Sequence, residues 1–316
     1  MMLSSFYFIP LCIVGLARVL AKYSAIILII VSALVSGCAN TFKLADYGTE
    51  AQLYEQVQKD LKRDNFLDAI NYLQVMEKKF PFGQYSKSAQ LSLIYAHYGF
   101  DEKESATASA NRFIRLHPKH RNVDYAYYMK GLIVFPEAKT FLQQVFNADL
   151  SKRDISSARA SFNHFSTLSK LFPESEYAPD TLKRMIFLRN LLARNEIHVA
   201  NYYLARKAFL AAANRGRYVV ENFQETTAVP DALAVMIQGY HEMKMDDLAR
   251  DSIDVLKANF PNHPALNELG EFDYTYSTTS IGSWINKFSL GVLGNTKPPG
   301  FNSESTYNPA VNPAVR

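Results

Sequence analysis

The chain has 316 residues, of which 48% are hydrophobic and 20% charged, with a formal net charge of +4. That composition excludes wholesale disorder, and the length suits one large domain or two modest ones. The near-even charge balance lacks the basic stripe of a nucleic-acid binder, and two cysteines, Cys12 and Cys38, cannot make a disulfide framework.

The amino terminus reads as an address. Arg18 and Lys22 precede an apolar run from Ala25 to Val35, which closes on Ser36, Gly37 and Cys38. The run is too short to span a bilayer, which takes about 20 residues. A basic region, a short apolar region and a small-residue cleavage site make a secretory signal. Val35-Ser36-Gly37-Cys38 resembles the lipobox of bacterial lipoproteins, which implies acylation of Cys38 and cleavage just before it. Residues 1–37 are then the signal peptide, residues 38–49 a linker from the anchor, and the net charge falls to +2. The apolar stretch 1–17 ahead of the basic pair fits either initiation near Val19 or Leu20, the favoured reading, or an unusually long signal. Ala39 after the cysteine implies, by the same resemblance, passage to the outer membrane, facing the periplasm. An uncleaved anchor with an incidental cysteine is the competing reading.

Residues 50–264 carry an internal repeat. Four segments end in an aromatic residue or His followed by Pro, at Phe80-Pro81, His117-Pro118, Phe172-Pro173 and Phe260-Pro261; Phe223-Gln224 fits without the proline. Aligned on these ends, one position holds Ala69, Ala106, Ser161, Ala212 and Ala249, all small. Another holds Met76, Phe113, Leu168, Val219 and Leu256, all large and apolar. On a helix the two positions share a face, small where a neighbour approaches and large where a groove is filled. The proline then stops each second helix. Asp64 and Asn65 suit the capping of the helix that follows them. The pattern resembles the tetratricopeptide repeat, and predicts an all-α superhelix of about five helix-turn-helix repeats; an ordinary bundle of Pro-terminated helices is the alternative. The two middle spacings hold extra residues.

No phosphate loop, GxGxxG, GxSxG or HExxH motif occurs, so the chain is not read as an enzyme. No metal is expected at His117 and His120, which read as surface residues at a helix end, and no cofactor beyond the lipid on Cys38. Glu102 and Glu104 around Lys103 read as a solvated charge cluster. Aromatic residues stand out instead. IYAHY (94–98) and VDYAYYMKGL (123–132) put five tyrosines into two first helices, accompanied by Arg112 and Arg115. Tyr95, Tyr98, Tyr125, Tyr128, Arg112 and Arg115 are the candidate substrate-binding residues. Tyr offers contact area at low entropy cost and Arg bonds carboxylates, a mixture suited to an extended peptide with aromatic residues and a terminal carboxylate. Each tyrosine is equally compatible with a place in the core.

FPFGQYS (80–86), AQLSLIYAHY (89–98), NRFIRLHPKHRNVDYAYYMKGL (111–132), SKRD (151–154), FPESEYAPDTLKRMIFLRNLLARNE (172–196) and VANYYLARKAF (199–209) resemble the BamD family, the tetratricopeptide lipoproteins of the outer-membrane β-barrel assembly machine. The resemblance implies an adaptor held at the inner leaflet of the outer membrane. Its amino-terminal repeats would recognise unfolded barrel proteins, and its carboxy-terminal repeats would dock on the BamA insertase beside the accessory Bam lipoproteins. Asn214-Arg215 matches the family's insertase contact, with Arg215 as the partner-binding residue, although Gly216-Arg217-Tyr218 departs from the usual pattern. A repeat lipoprotein that scaffolds cell-wall or polysaccharide-export machinery is the alternative. Residues 265–316 read as a low-complexity, flexible tail. Within it, residues 280–294 around Trp284 suit either disorder or an amphipathic segment touching lipid or a partner.

Overall fold

A computed structural model describes residues 48–136, 155–277 and 300–307. The signal, Cys38, the SKRD motif and the segment around Trp284 lie outside these residues. The chain divides into two units, residues 1–53 and 54–316. In the first, Thr49 and Gln52 exchange side-chain and backbone hydrogen bonds at 3.3 Å, where helix α1 begins.

The described residues contain ten helices of eleven residues or more: α1 (Glu50–Lys62), α2 (Phe66–Lys79), α3 (Ser86–Gly99), α4 (Lys103–Leu116), α5 (Val123–Ile133), α6 (Ser156–Leu171), α7 (Ala178–Ala205), α8 (Phe209–Asn222), α9 (Val229–Glu242) and α10 (Asp246–Asn259). One further turn, α11 (Glu304–Tyr307), follows. From α2 to α5 and from α6 to α10 each helix packs on the next, α5 packs on α6, and α3 meets α5 as α7 meets α9. That is the packing of stacked helix–turn–helix units, and the class is an all-helical, tetratricopeptide-like array. Among the described residues no helix is long and apolar enough to cross a membrane.

The repeat frame is visible in burial. Ala69, Ala106, Ser161 and Ala212 are fully buried and Ala249 nearly so, while Met76, Phe113, Leu168, Val219 and Leu256 fill the spaces between helices. The one hydroxyl in the small series is satisfied, since Ser161 Oγ donates to the Gly131 carbonyl at 2.8 Å. The large residues have a second role. The backbone N–H groups of Phe80, His117, Phe172, Phe223 and Phe260 donate to the carbonyls of Met76, Phe113, Leu168, Val219 and Leu256, closing each second helix. Each closing residue then accepts from the residue three further on, so the turn out of the helix survives at Phe223 without proline.

The turns inside the repeats follow a rule that composition conceals. Asp64, Asp101, Lys207 and Lys244 have left-handed backbones and each stands two residues before the next helix. The residue after each donates its N–H to a carbonyl five positions back, at 2.9 Å in all four. This is the Schellman closure of the preceding helix, usually given to glycine. Asn65 therefore does not cap α2 through its side chain; its Nδ2 donates to Asp68 Oδ2 instead. Glu102 belongs to the same kind of turn and accepts from His97 at 2.7 Å, so it is not a merely solvated acid.

Two features explain the long middle spacings. Residues between α5 and α6 include a segment outside the described residues, and α7 runs for 28 residues where its neighbours have 14 or 16. The tail also differs from expectation. Residues 265–277 and 300–307 pack on the last repeats, with Ala265, Phe272 and Phe301 buried against α7, α9 and α10. An array's terminal helices keep an apolar face that the next repeat would cover, and these residues cover it.

Candidate functional site

An open groove of about 710 Å³ lies between α1, α3 and the start of α5. Its floor comes from helical fours. Lys87, Leu91 and Tyr95 present one face of α3, with Ser88 and Ser92 beside them, and Tyr54, Gln58 and Lys62 present one face of α1. Arg121 and Tyr125 close the far side. Lys62, Lys87 and Arg121 supply three cations, and no carboxylate lines the groove among the described residues.

The aromatic rings are held rather than loose. Tyr95 is 38% exposed and meets Phe66 edge-on at 5.9 Å, while Tyr54 stacks on Tyr85 at 4.9 Å. Burial first, then the neighbouring Tyr177, Tyr95 and Tyr128, push the Tyr125 hydroxyl well above the ordinary phenol range. It stays protonated and can donate. His117 and His120 are held below the usual imidazole range by burial, reinforced by Lys87. The groove's charge at neutral pH therefore rests on Lys and Arg. Both imidazoles lie against Phe113, at 5.1 and 5.4 Å.

The structure brings together only part of the expected set. Tyr95 and Tyr125 share the groove. Arg112 lines an adjoining pocket of about 410 Å³ with the fully exposed Phe82 and is paired with Glu77 at 3.1 Å; Lys87 borders both spaces. Tyr98 is half-buried on the core of α3, α4 and α5, and Arg115 is exposed on α4 outside both linings. Tyr128 stacks on Tyr177 at 4.6 Å and donates its hydroxyl to Asp180 at 2.6 Å, which Arg184 also reaches at 2.6 Å. Burial, then the Asp180 bond, raise the Tyr128 hydroxyl to about 12. Tyr128 thus ties α5 to α7. Tyr54, Lys62, Lys87 and Arg121 were not expected; of these only Lys87, eight residues before Tyr95, shares its face of α3.

The carboxy-terminal candidate sits at a three-helix crossing. Arg215 Nη1 donates to Glu196 Oε2 of α7 at 2.8 Å, and Arg217 Nη2 donates to the Tyr240 hydroxyl of α9 at 3.0 Å. Between them Gly216 is buried, and a Cβ there would lie 2.7 Å from the Ala232 carbonyl. The glycine permits a close approach of α8 to α9. Arg215 does not wait unpaired for a partner's carboxylate; its own chain supplies one.

Cys38 lies outside the described residues. Residues 46–256 match the outer membrane lipoprotein family YfiO. The chain is 38% identical over 228 residues to the outer membrane protein assembly factor BamD of Neisseria gonorrhoeae, spanning 72% of this chain and 85% of that protein. It is 35% identical over 235 residues to BamD of Xylella fastidiosa, with 74% and 80% covered. To BamD of Vibrio cholerae it is 32% identical over 238 residues, with 75% and 99% covered.

Proposed function

The chain belongs to the YfiO family of outer membrane lipoproteins, with the BamD assembly factors as relatives, and we propose that it is a lipid-tethered adaptor of outer-membrane barrel assembly. Acylated Cys38 holds it to the inner leaflet of the outer membrane, where several acyl chains are needed because one binds only marginally. The groove of α1, α3 and α5 takes carboxy-terminal segments of unfolded barrel proteins, and the α7–α8 surface around Arg215 docks on the BamA insertase. Its work is to hold and orient, not to catalyse.

The observation that carries the substrate role is the groove's composition. Three cations with no acid among the described lining residues, interleaved with Tyr54, Tyr95 and Tyr125, match a peptide with aromatic residues and a free carboxylate. Binding of synthetic peptides from barrel-protein carboxy termini tests it. Peptides with a free carboxylate should bind, and amidated versions of the same sequences should bind markedly less. Equal binding of both would remove the cations from recognition.

A further inference from the structure

The carboxy-terminal end of the described chain is held as a peptide ligand is held. Gly300 N–H donates to the Ser277 carbonyl at 2.9 Å, and the four residues from Gly300 then lie across α7 and α9. Asn201 of α7 pairs both backbone groups of Phe301: its Nδ2 donates to the Phe301 carbonyl at 2.9 Å, and the Phe301 N–H donates to Oδ1 at 3.0 Å. The Phe301 ring is fully buried, stacked on Tyr276 at 5.8 Å and beside Phe272 at 5.9 Å. Ser303 N–H reaches the buried Asp231 carboxylate at 2.9 Å, where Arg194 and His263 also bind.

We infer that α7, α9 and the loop after α10 form a peptide-docking groove, occupied here by the chain's own Gly300-Phe301-Asn302-Ser303 as a ligand in cis. Neither helix packing nor a strand ladder holds this segment; side chains of the array grip its main chain. A side-chain amide that binds both N–H and C=O of one residue reads no sequence by itself. The sequence is read around it. Gly300 is required, because a Cβ there would lie 2.4 Å from Asn201 Cγ and its φ is +123°. An aromatic ring is required at 301 by the closed pocket. Asn302 is exposed, and the Ser303 hydroxyl is buried without a partner, so the array grips Ser303 through its N–H while its carbonyl accepts from Thr306 in the following turn. The groove also exceeds its occupant. About 610 Å³ of open space continues past Phe301 along Asn195, His198 and the exposed Tyr202.

The test uses the full chain carrying Phe301→Ala, which empties the pocket in cis, and a fluorescent peptide of residues 297–308. Competition from the resident tail lowers the apparent affinity of the unmodified chain by the fraction of time its groove is open. The peptide should therefore bind Phe301→Ala about tenfold or more tighter than the unmodified chain. Gly300→Ala or Phe301→Ala within the peptide should abolish binding, and Ser303→Ala should leave it intact. A folded Phe301→Ala chain that binds no peptide overturns the proposal. If that variant loses its fold, amide hydrogen exchange on the unmodified chain decides. The Phe301 and Ser303 amides should exchange by local opening, faster than those of α9, and faster still with excess peptide. Exchange of these amides only together with α9 overturns the proposal.

Discussion

Arg215 donates to Glu196 at 2.8 Å across the α7–α8 crossing, and the acid it serves has only 8% of its side chain exposed, against 43% for the arginine. The pair is thus lopsided: a half-exposed cation satisfies a nearly buried anion. Removing Arg215 alone leaves Glu196 without its partner, which costs about 1–3 kcal/mol. A loss of insertase binding by Arg215→Glu would mix that internal damage with any damage to docking. The double variant Arg215→Ala, Glu196→Gln should recover most of the stability lost by Arg215→Ala, as thermal melts would show. A pull-down of BamA's periplasmic domains with the double variant then reports docking alone, and retention at the unmodified level would take Arg215 out of the interface.

The groove separates residues that the sequence grouped. Tyr95→Ala with Lys87→Glu should weaken binding of a free-carboxylate peptide by about 1.5–3 kcal/mol, the scale of a hydrogen bond to a charged group, with helical circular dichroism unchanged. Tyr128→Phe should leave that binding intact and lower the melting temperature instead, because it cuts the bond from α5 to Asp180 on α7. The reverse outcome would move the peptide from the α3 face to the α5–α7 junction.

The small positions admit no extra volume. Ala106 is fully buried and Ala249 is 3% exposed, so Leu at either should overpack its crossing by about 1–3 kcal/mol. Gly216→Ala is a sharper case, since its Cβ would meet the backbone carbonyl of Ala232 as well as the Met236 side chain, and the carbonyl cannot turn away. Denaturant melts that match the unmodified chain at all three sites would contradict the crossings described.

Acid should loosen the last repeats. Burial alone would raise the Asp231 carboxyl, but the His263 hydrogen bond, the Arg194 charge and the Ser303 N–H together hold it below the ordinary carboxylate range. A carboxyl with a lowered folded value stabilises the fold fully above its unfolded value, and that contribution is lost as pH falls through the folded one. Urea midpoints should hold between pH 7 and 5, then drop below about pH 4. Asp231→Asn should be less stable at pH 7 and show a shallower drop. An equal drop in both chains would assign the acid sensitivity elsewhere.

The repeat frame was legible because one small and one large residue recur at fixed distance from a helix stop, and both are dictated by local packing. Ala69 through Ala249 needed no knowledge of distant contacts. The turns were less legible: a left-handed Lys207 or Lys244 has no compositional mark, whereas glycine would have given it away. The groove was half visible. Tyr95 stood out as an aromatic, but Lys87 and Tyr54 matter only once α1 and α3 lie side by side. Tyr128 looked equivalent to Tyr125, and only the arrival of Asp180 from 52 residues away turned it into a tie. The packing of residues 265–277 and 300–307 was not legible, because Gly, Ser and Asn suggest a chain with nothing to bury. The Phe301 backbone is held by Asn201, a hundred positions earlier, and its ring is covered by Phe272 and Tyr276, beyond the reach of any local pattern.

The central claim, capture of unfolded barrel proteins by the groove of α1, α3 and α5, is tested most directly by a photo-crosslinking amino acid at Tyr95 in intact cells. The account predicts crosslinks to outer-membrane barrel proteins still on their way to insertion, mapping to their carboxy-terminal segments and diminished by Lys87→Glu. Crosslinks to cell-wall or polysaccharide-export enzymes instead would contradict it and favour the scaffolding alternative.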